Sequence, residues 1–257
     1  MHNTALPLIA SKKELLVSTS PSFDYIIIGA GSAGCVLAHR LSRDSHVRVA
    51  LIEAGGSDDA PEMVMPVAFT QLFKTRYDWD YHTEPERELD GRRVYQPRGR
   101  TLGGSSSMNT MLYIRGNAAD FDDWAADGAS GWSYADMLHY FRKAETNERG
   151  ESHFHGASGP LSVQDGRFRH PLVDEMLEAS VSAGMVANPD FNGESQMGVG
   201  RFQFTQCDGR RCSAATAYLK PVQERQNLIV LTNTLVVQLV LDNRRARGVV
   251  VQRPDAQ

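Results

Sequence analysis

Six consecutive residues, Gly29-Ala30-Gly31-Ser32-Ala33-Gly34, constrain this chain more than any other feature of it. They follow an apolar run, Phe23 to Ile28, of the kind that a parallel sheet buries on both faces. They also open a stretch, Ser32 to Ser42, in which Ala33, Val36, Leu37 and Leu41 recur at helical spacing, and a second apolar run, Val47 to Ile52, follows. The result is a strand-helix-strand unit of about 30 residues. In that setting each glycine has a separate task. Gly29 permits a tight turn, Gly31 lets main-chain N–H groups approach a pyrophosphate, and Gly34 lets the helix lie close on the strand. The helix N-terminus adds a field that favours negative charge. Glu53, 19 residues beyond Gly34 at the end of the second run, puts a carboxylate where a ribose diol can donate to it. This order predicts an adenine-dinucleotide site and leaves FAD and NAD both open.

The rest of the sequence adds elements of both kinds. Gly55 to Arg93 is polar and broken by Pro61, Pro66 and Pro85, which reads as an excursion over the surface. Helices are expected over Asp120 to Ala126, over Trp132 to Ala144 with Ser133 as its cap, and over Pro171 to Ala183 with Gly184 ending it. A strand is expected at Arg201 to Gln206, a short helix near Ala214 to Leu219, and strands at Leu228 to Thr232, Leu235 to Leu241 and Gly248 to Gln252. The formal charge of −4 comes from 27 basic and 31 acidic residues mixed along the chain, so neither nucleic acid nor an anionic membrane is the expected partner. No apolar run reaches the roughly 18 residues of a membrane span. Three cysteines without metal-like spacing point to free thiols in a reducing, cytoplasmic setting. Residues 1–22 lack the pattern of a secretory signal and read as a flexible leader.

A second glycine-rich segment narrows the cofactor. In Arg98-Gly99-Arg100-Thr101-Leu102-Gly103-Gly104-Ser105-Ser106-Ser107-Met108-Asn109, paired glycines and three hydroxyls can offer backbone donors to another part of a ligand. Together with Asp24 to Cys35, Glu53-Ala54-Gly55-Gly56, Tyr113 to Asn117, Gly131 to Tyr134, His155-Gly156, Asp190 to Gly193 and Ser213 to Ala215, it resembles the glucose-methanol-choline family of FAD oxidoreductases, from about Phe23 to Val251. Gly99 through Asp122 satisfy the first signature of that family.

The resemblance implies an α/β fold: a Rossmann-like FAD-binding domain with a mixed sheet, over 23–165, and the beginning of an α+β substrate-binding domain, over 166–220. Residues 221–257 then supply strands that return to the FAD-binding domain. It implies that Gly29, Gly31, Ser32, Ala33, Gly34, Glu53 and Ala54 hold the ADP portion of FAD. Arg98, Leu102, Gly103, Gly104, Ser105, Asn109, Thr110, Met111 and Leu112 then line pyrophosphate and flavin, and Val236 meets the adenine through its backbone. Met108 stands where some family oxidases carry a histidine bonded to the flavin, so FAD is expected to be noncovalent. The implied reaction oxidises a small choline-like alcohol to an aldehyde, with the electron acceptor left open. The family's base is a histidine nearer the carboxyl end, paired with a histidine or an asparagine. This sequence reaches Gln257 before that pair and before the second family signature, so it reads as truncated and none of its residues takes the base role. The alternative is a catalytically silent FAD-binding fragment that needs a complementary carboxyl-terminal segment. No metal site is expected. His153 and His155 read as a surface loop, the acids Asp120, Asp122 and Asp123 as a helix start, and Trp79, Tyr81 and Trp132 as candidates for an aromatic cage around a quaternary ammonium group.

Overall fold

The computed structural model describes residues 21–253; the leader expected over 1–22 lies outside the described residues except for the last two. Three parallel strands, Tyr25–Ile28, Val49–Ile52 and Leu228–Leu231, form one sheet with Val49–Ile52 in the centre. Ile27 stands beside Leu51, and Leu51 beside Val230. The helix Ser32–Leu41 lies on this sheet and buries Gly34, Cys35 and Ala38. Its small residues let the backbone come close. The turn of π-helix at Ala215–Leu219 packs against the same cluster, so the core joins segments almost two hundred residues apart in sequence.

The first strand departs from the sequence expectation. It is not buried on both faces: Tyr25 is 48% and Ile28 52% exposed, whereas all four residues of Val49–Ile52 are buried. The reason is topological, because among the described residues Tyr25–Ile28 is an edge strand and only Val49–Ile52 has a neighbour on each side. The stretch after Gly55 differs as well. A helical turn at Pro61–Val64 and a 3₁₀ segment at Pro66–Leu72, each with proline in its first turn, bury Met63 and Leu72 against Met108. An apparent surface excursion thus floors the second glycine-rich segment. The return of this excursion is tied at Asp78, whose carboxylate accepts from the N–H groups of Lys74, Asp80 and Arg98 and from the Tyr95 hydroxyl.

A second, mixed sheet takes the order Leu112–Tyr113, Gln203–Phe204, Leu161–Asp165, Glu145–Asn147, with its last pair parallel. Two helices, Ala118–Ala126 and Tyr134–Ala144, lead into it. Ser133 caps the second in a capping box with Asp136, as its position predicts, and Phe121, Trp124, Tyr134 and Phe141 form an aromatic cluster between them. The helix Pro171–Ser182 ends at Gly184, which adopts a φ of 97°. A hairpin, Leu235–Asp242 with Arg245–Gln252, closes through Asn243 and Arg244, both at positive φ.

His155 is a correction to the surface-loop reading. It is 6% exposed, and its ring donates from Nδ1 to Glu145 and from Nε2 to Asp190, each at 2.8 Å. Glu145 also takes Arg115 Nη2 at 2.8 Å. Hydrogen bonds to Asp190 and Glu145 push the His155 pKa up to about 9, so the ring is a buried imidazolium at neutral pH. The acids lie 10 and 35 residues away, too far to be seen as companions along the chain.

Candidate functional site

Gly29 and Gly34 take the turn and the close approach that their spacing predicts, and the structure supplies distances. Gly29 adopts a φ of 87°. A Cβ on Gly34 would stand 2.0 Å from the Gly29 carbonyl oxygen, so the helix cannot approach the strand this closely with any side chain there. Gly31 is different: a Cβ would meet nothing within 4 Å, because its face is open. Gly31 is also the residue before the helix, no side chain caps it, and no acid stands in the first turn. The N–H groups of the first turn thus have no capping side chain, and Gly31 and Ser32 border open space.

Opposite Gly31 stands the second glycine segment. Gly104, at a φ of 54°, approaches so closely that a Cβ on it would lie 2.8 Å from the Gly31 Cα, and the Gly103 N–H donates to the Ala30 carbonyl at 2.7 Å. The two loops thus meet backbone to backbone. Gly99 backs this arrangement, since its N–H donates to Ser105 Oγ at 3.0 Å and a Cβ on it would strike the Gly104 carbonyl.

Between the loops lies a cleft of about 580 Å³ lined by Gly29, Gly31, Ser32, Glu53, Ala54, Arg98, Gly104, Ser105 and Val236, with Trp79 and Tyr81 on one wall. Those two rings stack at 5.6 Å, and the Arg100 guanidinium sits over Trp79. Trp132 packs instead on Trp124, so only two of the three candidate cage aromatics share this cleft. Ala33, Gly34, Leu102, Gly103 and the segment Asn109 to Leu112 do not line it. A larger cavity, about 1060 Å³, lies elsewhere, between the helix Pro171–Ser182 and the loop leading to Phe204, and holds none of the glycine residues of either loop.

Glu53 is 5% exposed, and both its oxygens are already engaged: Oε2 accepts from Ala30 N and Oε1 from Gly55 N, each at 2.8 Å. Sequence reasoning missed this inward role. A carboxylate has about four acceptor positions, so two remain for hydroxyls of a ligand while the same group braces the glycine turn. Bare amides, close glycine contacts and one acid form a donor and acceptor set suited to a diphosphate joined to a ribose, and an FAD adenosine diphosphate fits it.

The segment beyond Gly104 is held from below. Met108 is 2% exposed and packs on Met63 and Leu72. Asn109 Oδ1 accepts from the Met111 N–H at 3.0 Å, and Met111 adopts a φ of 62°. This turn leaves Met111 buried while Asn109, Thr110 and Leu112 stay exposed. Arg211, which nothing in its local sequence marks, reaches this segment from the other side and is 5% exposed.

Comparison with known proteins agrees with this geometry. Residues 23–257 match the model of the GMC oxidoreductase family. An oxygen-dependent choline dehydrogenase of Sinorhizobium fredii is 47% identical over 231 residues, which make up 90% of this chain and 42% of that protein. The mitochondrial choline dehydrogenase of Homo sapiens is 47% identical over 235 residues, 88% of this chain and 40% of that protein. Among solved structures, a pyridoxine 4-oxidase from Mesorbium loti superposes with a TM-score of 0.86 at 37% identity, covering 91% of this chain and 47% of that one. An FAD-dependent oxidoreductase from Chaetomium thermophilum gives 0.84 at 29% identity, covering 90% and 42%. The chain therefore spans less than half the length of the relatives it matches.

Proposed function

Since the chain belongs to the GMC oxidoreductase family and its cofactor is FAD, we propose that it supplies the FAD-holding portion of an enzyme that oxidises a choline-like alcohol to the aldehyde. The observation that carries this reading is the backbone contact of Gly31 and Gly104 at the wall of a cleft that Glu53 also lines. Gly29, Gly31, Ser32, Ala33 and Gly34 form the turn and helix start that receive the pyrophosphate. Glu53, with Ala54 beside it, takes the ribose hydroxyls, and the Val236 main chain meets the adenine. Arg98, Leu102, Gly103, Gly104 and Ser105 close the pyrophosphate side, and Asn109, Thr110, Met111 and Leu112 face the ring system. Gly34, Leu102 and Gly103 act through backbone packing, in keeping with their place behind the cleft. A bound flavin would supply the hydride acceptor for the substrate carbon, and this chain's residues would bind it, orient it and exclude water from its diphosphate. Met108 has no imidazole to offer, so the cofactor is held noncovalently.

Residues 23–165 form the FAD-binding region in this reading, 166–220 part of a substrate-binding region, and 221–257 strands that return to the first. Exposed, unpaired Cys207 suits a reducing, cytoplasmic setting. Among the described residues no histidine lines the cleft, and we assign no base to this chain. The second reading is that the chain binds FAD and is catalytically silent without a complementary segment. Purified protein supplied with choline and an artificial electron acceptor separates the two. Betaine aldehyde formation supports the enzyme, retained flavin without turnover supports the silent form, and a protein that retains no flavin contradicts both.

A further inference from the structure

Arg211 is a buried cation whose acceptors are all oxygens of uncharged groups. Its Nε donates to the Met63 carbonyl at 2.8 Å, and its Nη1 to the Asn109 carbonyl at 2.7 Å, to Asn109 Oδ1 at 3.0 Å and to the Ser106 carbonyl at 3.2 Å. Among the described residues its Nη2 has no partner and no carboxylate lies within ion-pair distance. Burial alone lowers its pKa, to about 10, which still leaves it charged at neutral pH. Burying a charge without a counterion is costly, and a methionine of similar length would fill the same space at lower cost. What methionine lacks is the fork of donors, and here the fork grips one segment, Ser106 to Asn109, against the floor at Met63.

That segment has little regular structure of its own beyond a short 3₁₀ turn at Gly104–Ser107. Asn109 Oδ1 is shared: it accepts from Arg211 and also from the Met111 N–H, and so helps to set the left-handed turn at Met111. Left-handed backbone at a long side chain costs free energy and persists only where surrounding contacts impose it. Thr205 N, donating to the Met111 carbonyl at 2.9 Å, and Gln206 Nε2, donating to Met111 Sδ at 3.8 Å, are further contacts on it, and the Cys212 N–H beside Arg211 donates in turn to the Thr205 carbonyl.

We propose that Arg211 is a positioning residue of the cofactor site: it shapes the Ser106–Leu112 segment from behind, so that its exposed positions, Asn109, Thr110 and Leu112, are presented to the flavin end of FAD. This rests on the FAD reading above and adds a division of labour. The Gly29–Gly34 turn and Glu53 govern the nucleotide end, and Arg211 governs the flavin end without touching either.

The division can be measured with two ligands. ADP reports on the nucleotide end alone, and FAD on both. In the full chain, Arg211→Lys keeps the charge and loses the fork. The variant should bind ADP within about threefold of wild type and FAD at least about tenfold more weakly, a loss expected when several hydrogen bonds that order a loop are removed. Arg115→Lys, which loosens the Glu145 cluster instead, should lower the melting temperature while leaving the FAD-to-ADP affinity ratio unchanged. If Arg211→Lys does not fold, Arg211→Gln carries the same comparison. FAD affinity unchanged in the Arg211 variant, or FAD and ADP weakened equally, overturns the proposal. A wild-type chain that binds neither ligand removes the cofactor reading itself, and with it the role of Arg211.

Discussion

Gly31 and Gly34 are three residues apart, and their substitution should fail in different ways. A Cβ at Gly34 meets the Gly29 carbonyl oxygen at 2.0 Å, so Gly34→Ala must push the helix off the sheet, at a cost of more than about 3 kcal/mol. The expected outcome is a melting temperature far below wild type whether or not flavin is present. Gly31 faces open space, so Gly31→Ala should melt close to wild type and yet lose FAD affinity. Equal melting of the two variants would show that the helix does not sit as described. Glu53→Gln is a third case. One of its two terminal atoms becomes an NH₂ facing an N–H that it cannot accept from, which should destabilise the fold by about 1–3 kcal/mol and weaken FAD binding together. Glycine spacing and the following acid made most of these positions readable in the sequence, because each role follows from a strand, a turn and a helix in order. The inward bonds of Glu53 and the grip of Arg211 were not readable, because their partners are set by tertiary packing. In the case of Arg211 the partners lie more than a hundred residues away.

At the level of elements, the loops carrying His155 and Asp190 are joined to the strand Glu145–Asn147 by a buried charge cluster. Four charged groups face one another there: Arg115, Glu145, His155 and Asp190. The folded His155 pKa, about 9, lies above its ordinary value of 6.5, so its contribution to stability is complete below pH 6.5 and is lost as pH rises through 9. The full loss is on the order of 3 kcal/mol. Thermal melting should therefore fall between pH 6.5 and 9.5, and His155→Gln should be less stable and show a flatter profile over that interval. A wild-type profile as flat as that of the variant would contradict an ionised, doubly paired His155. Elements with local signals, such as the Ser133 cap and the Gly184 stop, agree with the sequence because neighbouring residues determine them. The buried role of the Pro61–Leu72 stretch is not readable in the sequence, because its apolar residues divide between buried Met63, Ala68 and Leu72 and exposed Met65 and Val67, a division set only once Met108 lies on Met63 and Leu72.

Over the whole molecule, apolar side chains stand exposed where the strands leave the core. Ile28 on the edge strand and Val237, Leu239, Leu241 and Val250 on the hairpin are between 43% and 62% exposed. Such surface associates with itself or with a complementary segment. The isolated chain is therefore expected to bind a hydrophobic dye in its native state and to grow in light-scattering mass with concentration. A monodisperse monomer that binds no dye would contradict this. The parallel sheet and its crossing helix follow from the sequence pattern, but the edge position of the first strand does not, since an apolar run looks the same at the centre and at the rim of a sheet.

The central claim is that FAD rests on bare main chain in the cleft that Gly31 and Gly104 line together. Its most direct test is the visible spectrum of the protein after incubation with FAD and gel filtration, taken for wild type and for Gly31→Asp. Flavin absorbance that travels with the wild type and is missing from a folded Gly31→Asp variant is the predicted result. Equal flavin retention by the two proteins, or a colourless wild type, would contradict it.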